Sequence, residues 1–182
     1  AINDLFVLAS TSGDAAATIN ATNDITIGDA AAINDGSSGS ASLLFNAGRD
    51  IRVNRTVNIE AQSTAWYVTT AGQNNIQIGD VAVSGGSAFA HHGFGNDGVF
   101  GRQAVTAGPG GTAFAGFGDA SSGLNGNNAT FTKQVVAKGG NFGGISVAVK
   151  NSIRTVNTGL LDAKNSVSLL VTNNGTTTID VK

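Results

Sequence analysis

The sequence predicts an all-β fold: a parallel β-helix, or β-solenoid, made of stacked coils. Three observations carry this. Segments return at a spacing of 24 to 26 residues, short runs alternate apolar and polar residues, and no stretch shows a sustained helical period. Ile19-Asn20-Ala21-Thr22-Asn23-Asp24-Ile25-Thr26-Ile27 matches Phe45-Asn46-Ala47-Gly48-Arg49-Asp50-Ile51-Arg52-Val53, 26 residues later. Asn74-Asn75-Ile76-Gln77-Ile78-Gly79-Asp80 lies 51 residues beyond Asn23-Asp24-Ile25-Thr26-Ile27-Gly28-Asp29. In another phase, Gly85-Gly86-Ser87-Ala88-Phe89-Ala90 returns as Gly110-Gly111-Thr112-Ala113-Phe114-Ala115 after 25 residues. Ser42-Leu43-Leu44-Phe45 returns as Ser168-Leu169-Leu170-Val171 after 126, about five periods.

Each repeat contains strand-sized runs. In Ile25-Thr26-Ile27, Ile51-Arg52-Val53 and Ile76-Gln77-Ile78 the apolar residues face one side and the polar residue the other. Stacked coils place Ile25, Ile51 and Ile76 inside and Thr26, Arg52 and Gln77 outside. Val57-Asn58-Ile59, Val81-Ala82-Val83, Ile145-Ser146-Val147 and Thr178-Ile179-Asp180-Val181 follow the same rule. Asn23/Asp24, Arg49/Asp50 and Asn74/Asn75 line a turn, where short polar side chains bond neighbouring backbone. About seven coils fit the chain, a rod of about 30–35 Å at ~4.8 Å per coil. A β-sandwich gives turn signals as often but does not return copies at a constant offset.

Residues 1–182 read as one solenoid segment. Its middle, about 84–130, holds 13 of the 26 glycines and five of the nine phenylalanines, and reads as coils decorated by glycine-rich loops. Composition excludes several classes. With 41% hydrophobic and 12% charged residues the chain is not disordered, and a net charge of −2 leaves no electrostatic footprint for nucleic acid. The absence of cysteine removes disulfides, thiolate zinc sites and cysteine nucleophiles. No apolar run approaches the ~18 residues of a transmembrane helix. The absence of methionine points to a processed chain or a piece of a longer one, and the Gly, Ala, Asn, Ser and Thr bias suits a secreted protein.

The string Leu44-Phe45-Asn46-Ala47-Gly48-Arg49-Asp50-Ile51-Arg52-Val53-Asn54 resembles the L-x-N-A-G-x-D-I-x-L-N core of filamentous-haemagglutinin-type repeats, found in two-partner-secretion exoproteins and related adhesins. Residues 18–28 and 68–79 resemble it less closely. The resemblance implies a right-handed parallel β-helix, export through an outer membrane, and a stalk or adhesive fibre on a bacterial surface.

No catalytic or cofactor site stands out. Gly93-Phe94-Gly95-Asn96-Asp97-Gly98 fits a dinucleotide fingerprint, but no helix follows to hold the pyrophosphate. Asp24, Asp50 and Asp97 are calcium candidates. The first two are repeat-equivalent carboxylates, and the third sits in half of a calcium-binding nonapeptide turn, with a degenerate echo at Gly116-Phe117-Gly118-Asp119. A turn ladder accounts for these acids without a metal. His91 and His92 point to opposite faces of a strand and do not share an ion. Arg49, Arg52 and Arg55 form a basic edge, open to solvent or to anionic glycans. Trp66, Tyr67, Phe89, Phe94, Phe114 and Phe117 are candidates for sugar stacking or self-association, or else for the core.

These readings predict a non-enzymatic extracellular structural or adhesive protein: a rigid stalk or filament subunit of a surface or biofilm fibre. Its partners are copies of itself end to end, through Ala1–Ser10 and Ser166–Val181, or the rest of a longer repeat chain, with host or matrix glycans as further partners. One alternative is a glycan- or receptor-binding adhesin module centred on 84–130. A second is a calcium-dependent polysaccharide lyase using Asp24, Asp50 and the nearby arginines.

Overall fold

The computed structural model describes residues 6–10, 13–28, 30–35, 39–71, 74–118, 126–156, 161–172 and 178–180. Every regular element among them is a strand, and each pairs in parallel with the strand three places along. Sheet I comprises β1 (Phe6–Ser10), β4 (Ala31–Asp35), β7 (Val57–Glu60), β10 (Val81–Gly85), β13 (Gln103–Ala107), β16 (Val135–Lys138) and β19 (Leu161–Ala163). Sheet II comprises β2 (Ala15–Ala21), β5 (Ala41–Ala47), β8 (Thr64–Ala71), β11 (Ser87–Phe94), β14 (Thr112–Phe117), β17 (Phe142–Val149) and β20 (Ser166–Val171). Sheet III comprises β3 (Ile25–Ile27), β6 (Ile51–Val53), β9 (Ile76–Ile78), β12 (Asp97–Phe100), β15 (Asn128–Phe131), β18 (Ser152–Thr155) and β21 (Thr178–Asp180). The molecule is a three-sided parallel β-solenoid, and the chain makes six turns in passing from β1 to β19.

The core is read most easily as columns. In sheet III, Ile25, Ile51 and Ile76 stack as expected and continue through Gly98, Ala129 and Ile153, all buried. The column beside it runs Ile27, Val53, Ile78, Phe100, Phe131, Thr155. Where the second column gains phenylalanine, the first shrinks to glycine or alanine. A cross-section of fixed size must be filled without voids or clashes, so the columns compensate. Sheet II carries a narrow column of Ala15, Ala41, Ala65, Ala88, Ala113 and Gly143 where the faces converge. Fully burying each large side chain contributes roughly 1.5–3 kcal/mol, so the columns, not surface ion pairs, hold the rod together.

The period is less even than the repeats suggest. Arg102 bonds to Asp80, 22 residues before it, whereas Thr132 bonds to Phe100, 32 residues before it. A shortened coil is thus followed by a lengthened one, which contains residues 119–125, outside the described segments. The 126-residue alignment is corrected by the register: Leu43 leads down its column to Val167, and Phe45 to Leu169, two residues short of the sequence match. The glycine-rich middle carries four regular strands, β11 to β14. Its glycines make room for rings: a Cβ on Gly98 would lie 2.7 Å from both Phe94 and Phe100, and one on Gly126 would lie 2.0 Å from Phe94.

Candidate binding surfaces

The entry to sheet III carries an unbroken polar ladder. Asp24 Oδ1 accepts the Asp50 N–H (3.2 Å), Asp50 Oδ1 accepts the Asn75 N–H (3.0 Å), and Asn75 Oδ1 accepts the Asp97 N–H (3.2 Å). Asp97 Oδ1 then accepts Asn128 Nδ2–H (2.8 Å), and Asn128 Oδ1 accepts the Ser152 hydroxyl (2.6 Å). A parallel run links Asn127 to Asn96 and Asn96 to Asn75. Each side chain satisfies a donor of the next coil at the corner, where the strand ladder lapses.

All three calcium candidates stand in this one column. Asp97, read from sequence as a separate motif, is the rung equivalent to Asp24 and Asp50. Asp24 is held below the usual carboxylate range by the Arg49 guanidinium, which bonds it at 2.5 and 3.1 Å, and by the Asp50 N–H. Arg52 lies 3.6 Å from Asp50 and projects outward from β6. Among the described residues, no three His, Cys, Asp or Glu side chains group to hold a metal. The ladder's chemistry is register-keeping.

The aromatic candidates divide by strand alternation. Tyr67, Phe94 and Phe117 point inward and are wholly buried, so no ligand or partner at the surface reaches them. Trp66, Phe89 and Phe114 point outward from sheet II in one column, between Ser42 and Gly144. Trp66 and Phe89 stack with centroids 4.2 Å apart, and His91 packs 6.0 Å from Trp66 and 5.5 Å from Phe114. Stacked rings cover one another's faces and turn their edges to solvent. Trp66, at the Ser42 end, is the most open at 37% exposure.

The interior holds a polar chain that the sequence did not disclose. His92 is fully buried, with Nδ1 2.8 Å from Thr69 Oγ1 and Nε2 3.2 Å from Gln103 Oε1; Gln103 Nε2 in turn donates to Gly79 O at 3.0 Å. Gln103 Oε1 only accepts, so His92 carries its proton on Nε2 and accepts from Thr69 at Nδ1. Burial pushes the His92 pKa down to about 3, so the ring is neutral. The Tyr67 hydroxyl, buried beside it, has no hydrogen-bond partner among the described residues.

Shallow depressions open on the sheet III face, among them one lined by Asp24, Thr26, Asp50 and Arg52 and one lined by Arg52, Asn75, Gln77, Asp97 and Val99. Another, of about 400 Å³, lies at the corner between sheets III and I and includes Arg55, Asp80 and Lys133. Burial pushes Asp80 up, but the Lys133 ammonium at 2.9 and 3.0 Å and the Arg102 N–H outweigh it and hold the carboxyl below its ordinary value. No helix among the described residues is long and apolar enough to cross a membrane.

Fold and surface together define a class, the three-sided parallel β-solenoid with an asparagine–aspartate turn ladder. No protein-family description, curated protein or solved structure matches the chain.

Proposed function

We propose that this chain is a rigid segment of an extracellular bacterial surface or biofilm fibre, a stalk or self-assembling filament subunit of the filamentous-haemagglutinin-like kind. The observation that carries the reading is the state of the last rungs. Val167 belongs to the inward column of Leu43, Tyr67, Ala90, Ala115 and Ile145, yet it is 43% exposed, and Leu169 and Val171 are only partly covered. Among the described residues β20 is the last strand of its sheet, and its half-open apolar column accepts another coil, from a second copy or from more of the same repeat chain. At the other end, β2 is small and apolar, with Ala15, Ala17, Ile19 and Ala21 facing inward. A second copy seated there continues the columns. The resemblance at Leu44–Asn54 supports the family reading, since those residues form one strand–turn–strand corner from β5 to β6. Of the two end segments inferred from sequence, Ala1–Leu5, 173–177 and Val181 lie outside the described residues.

Electron microscopy of the wild type and Val167→Glu tests this. Wild-type fibres of uniform width, and short rods from the variant, are expected. Short monodisperse particles from both overturn the filament reading.

A further inference from the structure

The corner between sheets III and I changes depth along the rod because its turns change length. Three residues (54–56) join β6 to β7, and three (132–134) join β15 to β16. Between them, only Gly79-Asp80 joins β9 to β10, and only Gly101-Arg102 joins β12 to β13. Two short turns flanked by two long ones make a saddle, its walls three coils or about 14 Å apart at ~4.8 Å per coil. Glycine is required on the floor. A Cβ on Gly79 would lie 3.0 Å from Arg55 O, and one on Gly101 would lie 2.7 Å from Asp80 Oδ1 and 2.8 Å from the Gly79 backbone. The resulting groove, about 400 Å³, falls within the roughly 300–1,000 Å³ of small-molecule sites.

Its charge is unbalanced. Arg55 stands on one wall and Lys133 on the other, and Arg102 follows the floor residue Gly101. Asp80 is the one carboxylate in the lining, and both its oxygens are held by Lys133. Arg55 and Arg102 are exposed and make no ion pair among the described residues. Asn54, Gln77 and Thr132 add neutral hydrogen-bonding groups, and Val99, 37% exposed, adds an aliphatic surface.

We propose that this saddle binds a carboxylated saccharide, a uronate-type unit of an acidic polysaccharide, with its carboxylate on Arg55 and Arg102, its hydroxyls on Asn54, Gln77 and Thr132, and a C–H face on Val99. An acidic peptide fits less well. An extended peptide binds by adding to a free strand edge, and β6, β9, β12 and β15 are all paired on both sides. The site does not depend on whether the rods stack end to end.

Trigalacturonate titrated into the intact chain by calorimetry is the test, with maltotriose, a sulfated disaccharide and hexaglutamate as comparators. Trigalacturonate should bind, weaken as salt rises, and lose roughly tenfold in affinity in each of Arg55→Ala and Arg102→Ala. Maltotriose should not bind. For the unmutated chain, trigalacturonate should protect Arg55 and Arg102, but not Arg154 on the same sheet, from phenylglyoxal. Absence of binding, equal binding of maltotriose, preference for the sulfated sugar or for hexaglutamate, or unprotected arginines would each overturn the assignment.

Discussion

The coils up to β10 and those from β11 to β15 fill one cross-section by different means. In the first, the columns of sheets III and I repeat like with like: Ile25, Ile51 and Ile76, or Ile33, Ile59 and Val83. In the second, rings and small residues alternate. Phe94, Phe100, Phe117 and Phe131 pack with centroids 4.7 to 5.7 Å apart, and Gly98, Gly126 and Ala129 yield the space. Backbone pairing is continuous through both. The difference teaches that a solenoid conserves the volume of a coil and its turn ladder, not the residue at a position. In the aliphatic part of sheet III both neighbouring columns carry aliphatic side chains, so no ring has to be matched by a small residue. The aromatic part is a set of coupled choices.

The largest expected difference follows directly. Phe131→Ala in the ring cluster should cost about 3–5 kcal/mol in urea unfolding, against about 0.5–1.5 for Ile51→Val in the aliphatic columns. A loss below about 2 kcal/mol for Phe131→Ala would show that the ring cluster is not close-packed.

The next concerns His92, on β11 in the aromatic region and bonded to Thr69 of the coil before. Its folded pKa of about 3 lies below the ordinary 6.5. Between those values the unfolded chain binds a proton that the folded chain refuses. The stability linked to His92 is therefore complete above pH 6.5 and is lost as pH falls toward 3, by about 1.4 kcal/mol per unit. Wild type should lose about 2 kcal/mol between pH 7 and 5. His92→Gln should show a flatter profile over that range; an unchanged slope would remove His92 as the cause.

Tyr67→Phe removes the orphaned hydroxyl and should leave stability unchanged or raise it by up to about 1 kcal/mol. A loss above that would reveal a partner for the hydroxyl. An effect of similar size and opposite sign is expected at the ladder, common to both regions. Asn75→Ala frees the Asp97 N–H and should cost about 1 kcal/mol, with no pH dependence of its own.

How much of this was legible in the sequence follows from what each feature requires. Alternation alone placed Ile25, Ile51 and Ile76 inside and Arg52 and Gln77 outside, and the same rule separates Trp66 from Tyr67 and His91 from His92. The rung at Asp97 was hidden because the coil before it is short, so it fell out of phase with Asp24 and Asp50. The pairing of His92 with Gln103 was illegible for a different reason. They sit on different sheets and meet across the core, and no local spacing encodes which columns face each other. The exchange of Phe100 for Gly98 and the saddle at Gly79 and Gly101 needed the same knowledge: which coil lies beside which.

The most direct measurement is a double-mutant cycle between Gly98 and Phe100. Gly98→Ile installs the residue that β3, β6 and β9 carry in that column, and Phe100→Ile restores the aliphatic partner. If neighbouring columns share a fixed volume, Gly98→Ile alone should destabilise by about 3 kcal/mol or more, and the pair should recover at least about 1 kcal/mol of it. Strictly additive effects would contradict the account, since the glycine and the ring would then be independent choices.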